Sequence, residues 1–209
     1  MIRVILCDDH AVVRRGIGDT LAEAQDIQVV AETASYSEVR EALRQTPCEV
    51  LVLDLSLPGR GGLEVLASIK DCGPSVPVLV VSMYPEDQYA IRCLRAGAQG
   101  YVNKASDPGE LILAVRTVAQ GKKYLSPAVA QMLADNLHSP AGAGLHSTLS
   151  ERELQTLLMI AKGRRLSDIA AEMMLSPKTV SVYRARALEK LKLTNTAELT
   201  TYAIRNNLI

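Results

Sequence analysis

The chain has 209 residues, 48% hydrophobic and 22% charged, the balance of an ordinary globular protein long enough for two modest domains or one large one. Its net charge of zero hides an asymmetry: residues 1–122 carry 12 basic against 16 acidic side chains, and residues 123–209 carry 11 against 7, which suits the C-terminal part to a polyanion. No run of about 18 apolar residues is present and MIRVILCDD reaches two acids too soon for a secretory leader, so a cytoplasmic protein without a membrane partner is expected. Cys7, Cys48, Cys72 and Cys93 form no CxxC pair and have no histidine at metal-site spacing, which fits reduced, packed thiols. Seven Tyr without Trp or Phe argue against rows of aromatic platforms for single-stranded nucleic acid.

In chain order, Ile2–Cys7 predicts a buried strand that ends on Asp8-Asp9. Val13, Ile17 and Leu21 have the spacing of one helical face. Ile27–Ala31 predicts a second strand, and Ser37 starts a short helix filled by Glu38, Val39, Ala42 and Leu43. Val50–Asp54 predicts a third strand buried on both faces, closed by a Leu57-Pro58-Gly59 turn. Gly61–Asp71 is the next helix and Val76–Ser82 the fourth strand. Glu86–Ala96 is a helix closed by Gly97, Gly100–Lys104 a fifth strand, and Pro108–Ala119 a helix with Leu111, Val115 and Val118 on one face.

Five such alternations imply an α/β, flavodoxin-like (βα)5 domain: a five-stranded parallel sheet wrapped on both faces, with its ligand side at the carboxyl ends of the strands. Ser126–Leu137 predicts one more helix, capped by Ser126 with Pro127 at its first position. His138–Gly144, rich in Gly, Pro and Ala, reads as a flexible linker. The remainder is all-α. Ser150 and Glu153 have capping-box spacing, Leu166–Leu175 is a short amphipathic helix, and Ser176-Pro177 opens a helix to about Leu191 with Val180, Tyr183, Ala187 and Leu191 inward. Two helices across a short turn, the second basic on its outer side, form a helix-turn-helix pattern; Thr196–Asn206 closes the bundle.

The strand ends bring Asp8, Asp9, Asp54, Ser82 and Lys104 to one crevice. Asp54 alone reads as a turn-capping carboxylate, but three converging carboxylates repel one another and call for a cation. Magnesium takes oxygen ligands, Lys104 supplies positive charge, and Ser82 offers a hydroxyl donor. Together these are the parts needed to receive a phosphoryl group on an aspartate.

Asp8-Asp9, Asp54 followed by Leu57-Pro58-Gly59, Ser82, and Tyr101-Val-Asn-Lys104-Ala105 resemble the receiver domain of two-component response regulators. Leu149-Ser-Glu-Arg-Glu153-Leu and Ile169-Ala with Leu175-Ser-Pro-Lys-Thr-Val180 resemble the LuxR-type helix-turn-helix, and the order of the modules resembles the NarL/FixJ family. The resemblance implies a receiver over 1–121, a linker carrying a helix over 122–145, and a DNA-binding domain over 146–209. It makes Asp54 the phosphoacceptor, with Mg²⁺ held by Asp8, Asp9, Asp54 and the backbone carbonyl of Ser56. Lys104 would pair with the phosphoryl oxygens, Ser82 would move to donate to them, and Tyr101 would turn inward behind it. His10 matches a common family position without assigned chemistry.

The resemblance further implies a sensor histidine kinase or small phosphodonor as partner, slow self-dephosphorylation without enzymatic turnover, and a homodimer on two half-sites of double-stranded DNA. The helix from Pro177 would enter the major groove with Lys178, Thr179, Ser181, Val182, Ala185, Arg186 and Lys190 as contacts. Arg164, Arg165, Arg184 and Lys192 add charge for the phosphate backbone. The sequence departs from the family where Ser181 replaces a common lysine, Tyr183 a histidine and Thr196 an arginine. Two rival chemistries fare less well. A haloacid-dehalogenase-type phosphatase needs a second aspartate where Ser56 stands, and no glycine-rich phosphate loop follows any strand.

Overall fold

Strands β1 (Ile2–Cys7), β2 (Ile27–Thr33), β3 (Val50–Leu53), β4 (Val78–Ser82) and β5 (Gly100–Asn103) form one parallel sheet in the order β2-β1-β3-β4-β5. This computed structural model describes residues 1–57, 62–70, 76–138, 145–206 and 208–209. The Pro58-Gly59 turn, Gly61, Asp71, Cys72 and the linker stretch 139–144 lie outside the described residues. Helices α1 (Ala11–Ala22), α2 (Tyr36–Gln45), α3 (Gly62–Lys70), α4 (Glu86–Ala96) and α5 (Pro108–Ala119) alternate with the strands, and α6 (Pro127–His138) follows. The chain divides into two units, Met1–Asp135 and Asn136–Ile209.

Val50, Leu51, Val52 and Leu53 are all fully buried, as expected of a central strand covered on both faces, and each such side chain contributes roughly 1.5–3 kcal/mol. One core cluster joins Val4, Leu6, Val50, Val52 and Leu79 to Ile17 and Leu21 of α1 and to Leu111, Val115 and Val118 of α5. After β1 the chain goes to β2 on one side and then returns to β3 on the other. Carboxyl ends of β1 and β3 therefore flank the point where the order reverses, the place where open α/β sheets bind ligands.

Several boundaries differ from the sequence expectation, and in the first unit three of them have a visible cause. Helix α2 starts after Ser35, not at Ser37: Ser35 accepts from the Glu38 N–H and Glu38 reaches back to the Ala34 N–H at 2.9 Å. Strand β2 runs on to Thr33, because Cys7 pairs with Thr33 and the Thr33 carbonyl accepts the Asp8 N–H. Strand β4 begins at Val78 instead of Val76, where its ladder with β3 begins.

The second unit has a 3₁₀ turn (Leu145–Thr148) and helices α7 (Glu151–Ala161), α8 (Leu166–Glu172), α9 (Pro177–Leu191) and α10 (Thr196–Arg205). Helix α8 ends before the expected Leu175, since Met174 adopts φ 53° and the Leu175 N–H turns back to the Ala170 carbonyl. Leu157, Ile169, Ala170, Val180, Ala187, Leu191, Leu199 and Ala203 are buried, and α7 packs against α8, α9 and α10. No described helix is long and apolar enough to cross a membrane. Among the described residues Cys7, Cys48 and Cys93 form no disulfide, and burial pushes Cys7 up to about 12 and Cys48 to about 11.

Candidate functional site

Register alone aligns the acidic groups. Cys7 pairs with Leu53, so Asp8 and Asp54 each stand one residue beyond the paired ladder, and the Asp54 N–H donates to the Cys7 carbonyl at 2.9 Å. Ser82 pairs with Asn103 on the other side, which sets Lys104 one residue past β5, its N–H on the Ser82 carbonyl at 2.9 Å. The Lys104 ammonium then lies 2.7 Å from Asp8 Oδ2 and 2.8 Å from Asp54 Oδ2, with all three side chains at most 6% exposed.

Burial outweighs the opposing pull of Lys104 and leaves the Asp54 carboxyl above its ordinary range. Burial also works against the Lys104 charge, but Asp54 and Asp8 together raise it above the usual lysine value. The three groups therefore form a charged lysine shared by two crowded carboxylates. Asp54 Oδ1 is buried and, among the described residues, accepts no hydrogen bond of ordinary geometry, although the Ser56 amide lies near enough to favour its charged form. A buried carboxylate oxygen left this way costs free energy until a cation or donor reaches it.

Asp9 and His10 complete the cluster. One ligand atom from each of Asp8, Asp9, His10 and Asp54 lies within 4.8 Å of the others, a donor set of mostly hard oxygens suited to a divalent cation. His10 Nδ1 is 2.8 Å from Asp9 Oδ1, and the His10 N–H holds Asp8 Oδ1 at 2.8 Å. Arg14 clamps the backbone from behind, donating to the Asp8 carbonyl and to Glu32.

Ser82 is fully buried and its Oγ accepts the Tyr84 N–H at 3.3 Å. Tyr101 is 1% exposed and donates to the Tyr84 carbonyl at 2.6 Å, with its phenol held protonated by burial. An inward Tyr101 is thus part of the fold here. Asn103 donates to the same carbonyl at 3.0 Å, a partner the sequence reading missed because nothing in VNK marks it. Gly62 was also missed: a Cβ there would stand 2.4 Å from Leu55 Cα, so only glycine lets α3 start beside the residue after Asp54.

In the second unit, Lys178, Val182, Ala185 and Arg186 are exposed on α9 and fall on one face by their spacing of four and three to four. Ser181 is half-buried. Thr179 serves the helix start, its N–H on Ser176 Oγ at 3.1 Å. Lys190 is engaged elsewhere: its ammonium lies 2.7 Å from the buried Glu153 Oε2. Burial pushes Glu153 up, yet Lys190 and the Ser150 N–H outweigh it and hold the carboxyl below its ordinary value. Tyr183, expected inward, is half-buried. Arg164, Arg165 and Lys192 are exposed, and Arg184 is half-buried.

An acidic crevice with a bridging lysine on a 2-1-3-4-5 sheet, followed by a helix-turn-helix, defines a receiver joined to a DNA-reading module. The model of the response regulator receiver domain matches residues 4–116, and that of bacterial regulatory proteins of the luxR family matches 147–203. The chain belongs to the response regulators, in the NarL/FixJ arrangement. It is 38% identical over 209 residues to the response regulator GacA of Pseudomonas protegens, covering 100% of this chain and 98% of that one. It is 37% identical to the response regulator UvrY of Escherichia coli K12, with 100% and 96% covered. Among solved structures, RcsB of Salmonella enterica serovar Typhimurium bound to promoter rprA in the presence of phosphomimetic BeF3⁻ matches with TM-score 0.64 and 27% identity, over 96% of this chain and 97% of that one.

Proposed function

We propose that this protein is a transcription regulator whose Asp54 accepts a phosphoryl group and thereby controls DNA binding. The observation that carries the reading is the Lys104 ammonium bridging Asp8 and Asp54 while the buried Asp54 Oδ1 has no hydrogen bond of ordinary geometry among the described residues. In the reaction, an Asp54 carboxylate oxygen attacks the phosphorus of a phosphohistidine on a sensor kinase, or of a small acyl phosphate. The bond from phosphorus to the donor breaks, and the donor leaves with the electron pair. Asp8, Asp9, Asp54 and the Ser56 carbonyl would hold Mg²⁺, which when bound neutralises charge on the phosphoryl oxygens. Lys104 shifts from Asp54 to those oxygens. Ser82 leaves the Tyr84 N–H to donate to them, and Tyr101 stays inward beneath the moved loop. Water later attacks the phosphorus slowly, so the chemistry times a signal and sustains no turnover.

The domains divide as receiver 1–121, linker 122–145 and DNA-binding domain 146–209. Helix α9 reads the major groove through Lys178, Ser181, Val182, Ala185 and Arg186. Thr179 sits at its start, and Lys190 reaches phosphate only by giving up Glu153. A relative, RcsB, is described as dimers bound to DNA, which supports a homodimer on two half-sites here as well. A partner that is chromosomal DNA places the protein in the cytoplasm. Incubation with a low-molecular-weight acyl phosphate and Mg²⁺ is expected to label the wild type and leave Asp54→Asn unlabelled by intact mass; equal labelling of both would refute the assignment.

A further inference from the structure

After α5 the chain does not leave the receiver at once. The Tyr124 N–H donates to the Gln99 carbonyl at 2.8 Å, Tyr124 bridges Gly100 beside β5, and its hydroxyl donates to Glu110 at 2.8 Å. A Cβ at Gly100 would meet Tyr124 Cβ at 2.9 Å, so glycine is what admits this segment against the strand. Ser126 is thereby delivered, 5% exposed, to the N-terminus of α4. Its Oγ donates to Glu86 Oε2 at 2.7 Å and accepts the Val129 N–H at 3.3 Å, so one hydroxyl caps α6 and ties it to α4.

Glu86 is the first residue of α4, four residues after Ser82, and the loop between them is already held by Ser82, Tyr101 and Asn103. The α4 N-cap, Pro85, makes no side-chain cap bond, and Glu86 beside it carries the hydrogen bond that joins this end to the start of α6. We propose that Glu86 and Ser126 are positioning residues that pass the state of the Ser82–Tyr84 loop to α6, the helix through which the chain continues to the DNA-binding domain. The transmission step rests on the proposed role of Asp54, whereas the anchor itself stands on the geometry above. With Tyr101 inward the anchor is made, so a phosphoryl group that draws Ser82 off the Tyr84 N–H and pins the loop in its moved position tightens the first turn of α6 through Glu86.

Amide hydrogen exchange in the full-length protein, with and without acyl phosphate and Mg²⁺, tests this. Glu86→Ala keeps the Ser126 cap and removes only the tie. In untreated protein it is expected to speed exchange at Val129–Gln131 by about tenfold, the lower end for one charge-assisted hydrogen bond. The phosphodonor slows these amides in wild type and not in Glu86→Ala, although both accept label equally at Asp54. Glu86→Gln, which keeps a carbonyl acceptor for Ser126, restores the wild-type pattern. Equal exchange in untreated Glu86→Ala and wild type, or a donor effect that survives Glu86→Ala, overturns the inference. Absence of label at Asp54 in wild type refutes the phosphoacceptor reading instead, and the untreated pair still decides the anchor.

Discussion

The two ends of the molecule handle charge in opposite ways. At the sheet edge, Asp8, Asp54 and Lys104 are packed out of water with more carboxylate than ammonium, and Asp54 is left less acidic than usual. On α9, Lys178 and Arg186 stand in solvent, while the buried Glu153 of α7 is fully matched by Lys190 and its own capping box. The crevice carries an imbalance that a cation would relieve, whereas the helical unit pairs its buried Glu153 and presents Lys178 and Arg186 outward. A switch needs the first arrangement and a docking surface the second.

The largest test of this contrast removes the crevice cation. Lys104→Met leaves two buried carboxylates without their partner and is expected to destabilise the N-terminal unit by about 3–5 kcal/mol near neutral pH, measured by urea unfolding. Lowering the pH toward the ordinary aspartate range should shrink that loss, since protonated carboxyls no longer need the ammonium. A loss that is the same at every pH would make Lys104 a packing residue only.

Adding a cation should act in the opposite sense. Mg²⁺ at a hundred times its dissociation constant is expected to stabilise the wild type by about 2.7 kcal/mol and to give little to Asp54→Asn, read from the thermal midpoint. An equal gain in both proteins would place the cation elsewhere.

The helical unit should respond to acid with the other sign. Asp54, with its pKa raised above 3.8, is held better as the acid in the fold than in the unfolded chain, so its contribution improves as pH falls through that raised value. Glu153, with its pKa lowered from 4.5, contributes fully above 4.5 and loses its contribution as pH falls through its depressed value. Glu153→Gln should therefore lag the wild type at neutral pH and converge with it in acid. Ser150→Ala, which removes one half of the capping box, should cost about 1 kcal/mol.

Smallest in energy is the surface test. Arg186→Ala is expected to weaken duplex DNA binding and to reduce the salt slope by about 1, and an unchanged slope removes Arg186 from the phosphate contacts.

The crevice was legible in the sequence because a parallel sheet aligns strand ends. Once Ile2–Cys7, Val50–Leu53 and Gly100–Asn103 are strands, Asp8, Asp54 and Lys104 must meet. The contacts that were not legible join residues distant in sequence through polar atoms with many alternative partners. Ser126 read correctly as a cap, yet its second bond to Glu86, 40 residues earlier, needs the path of Tyr124 along β5. Lys190 read as one more outward base, since its partner Glu153 is 37 residues away and already has a local role in the capping box. The sequence pattern places the helix start at Ser37, and Ser35, an equally good cap by type, takes that role in the structure. Glu38, three residues after Ser35, fixes the start there by closing the reciprocal pair.

The measurement that bears most directly on the account is duplex DNA affinity with and without acyl phosphate and Mg²⁺, for wild type and Asp54→Asn, on a fragment the protein itself selects from a random duplex pool. The account expects the donor to tighten binding by wild type and to leave Asp54→Asn unchanged. Equal affinity of labelled and unlabelled wild type would contradict it.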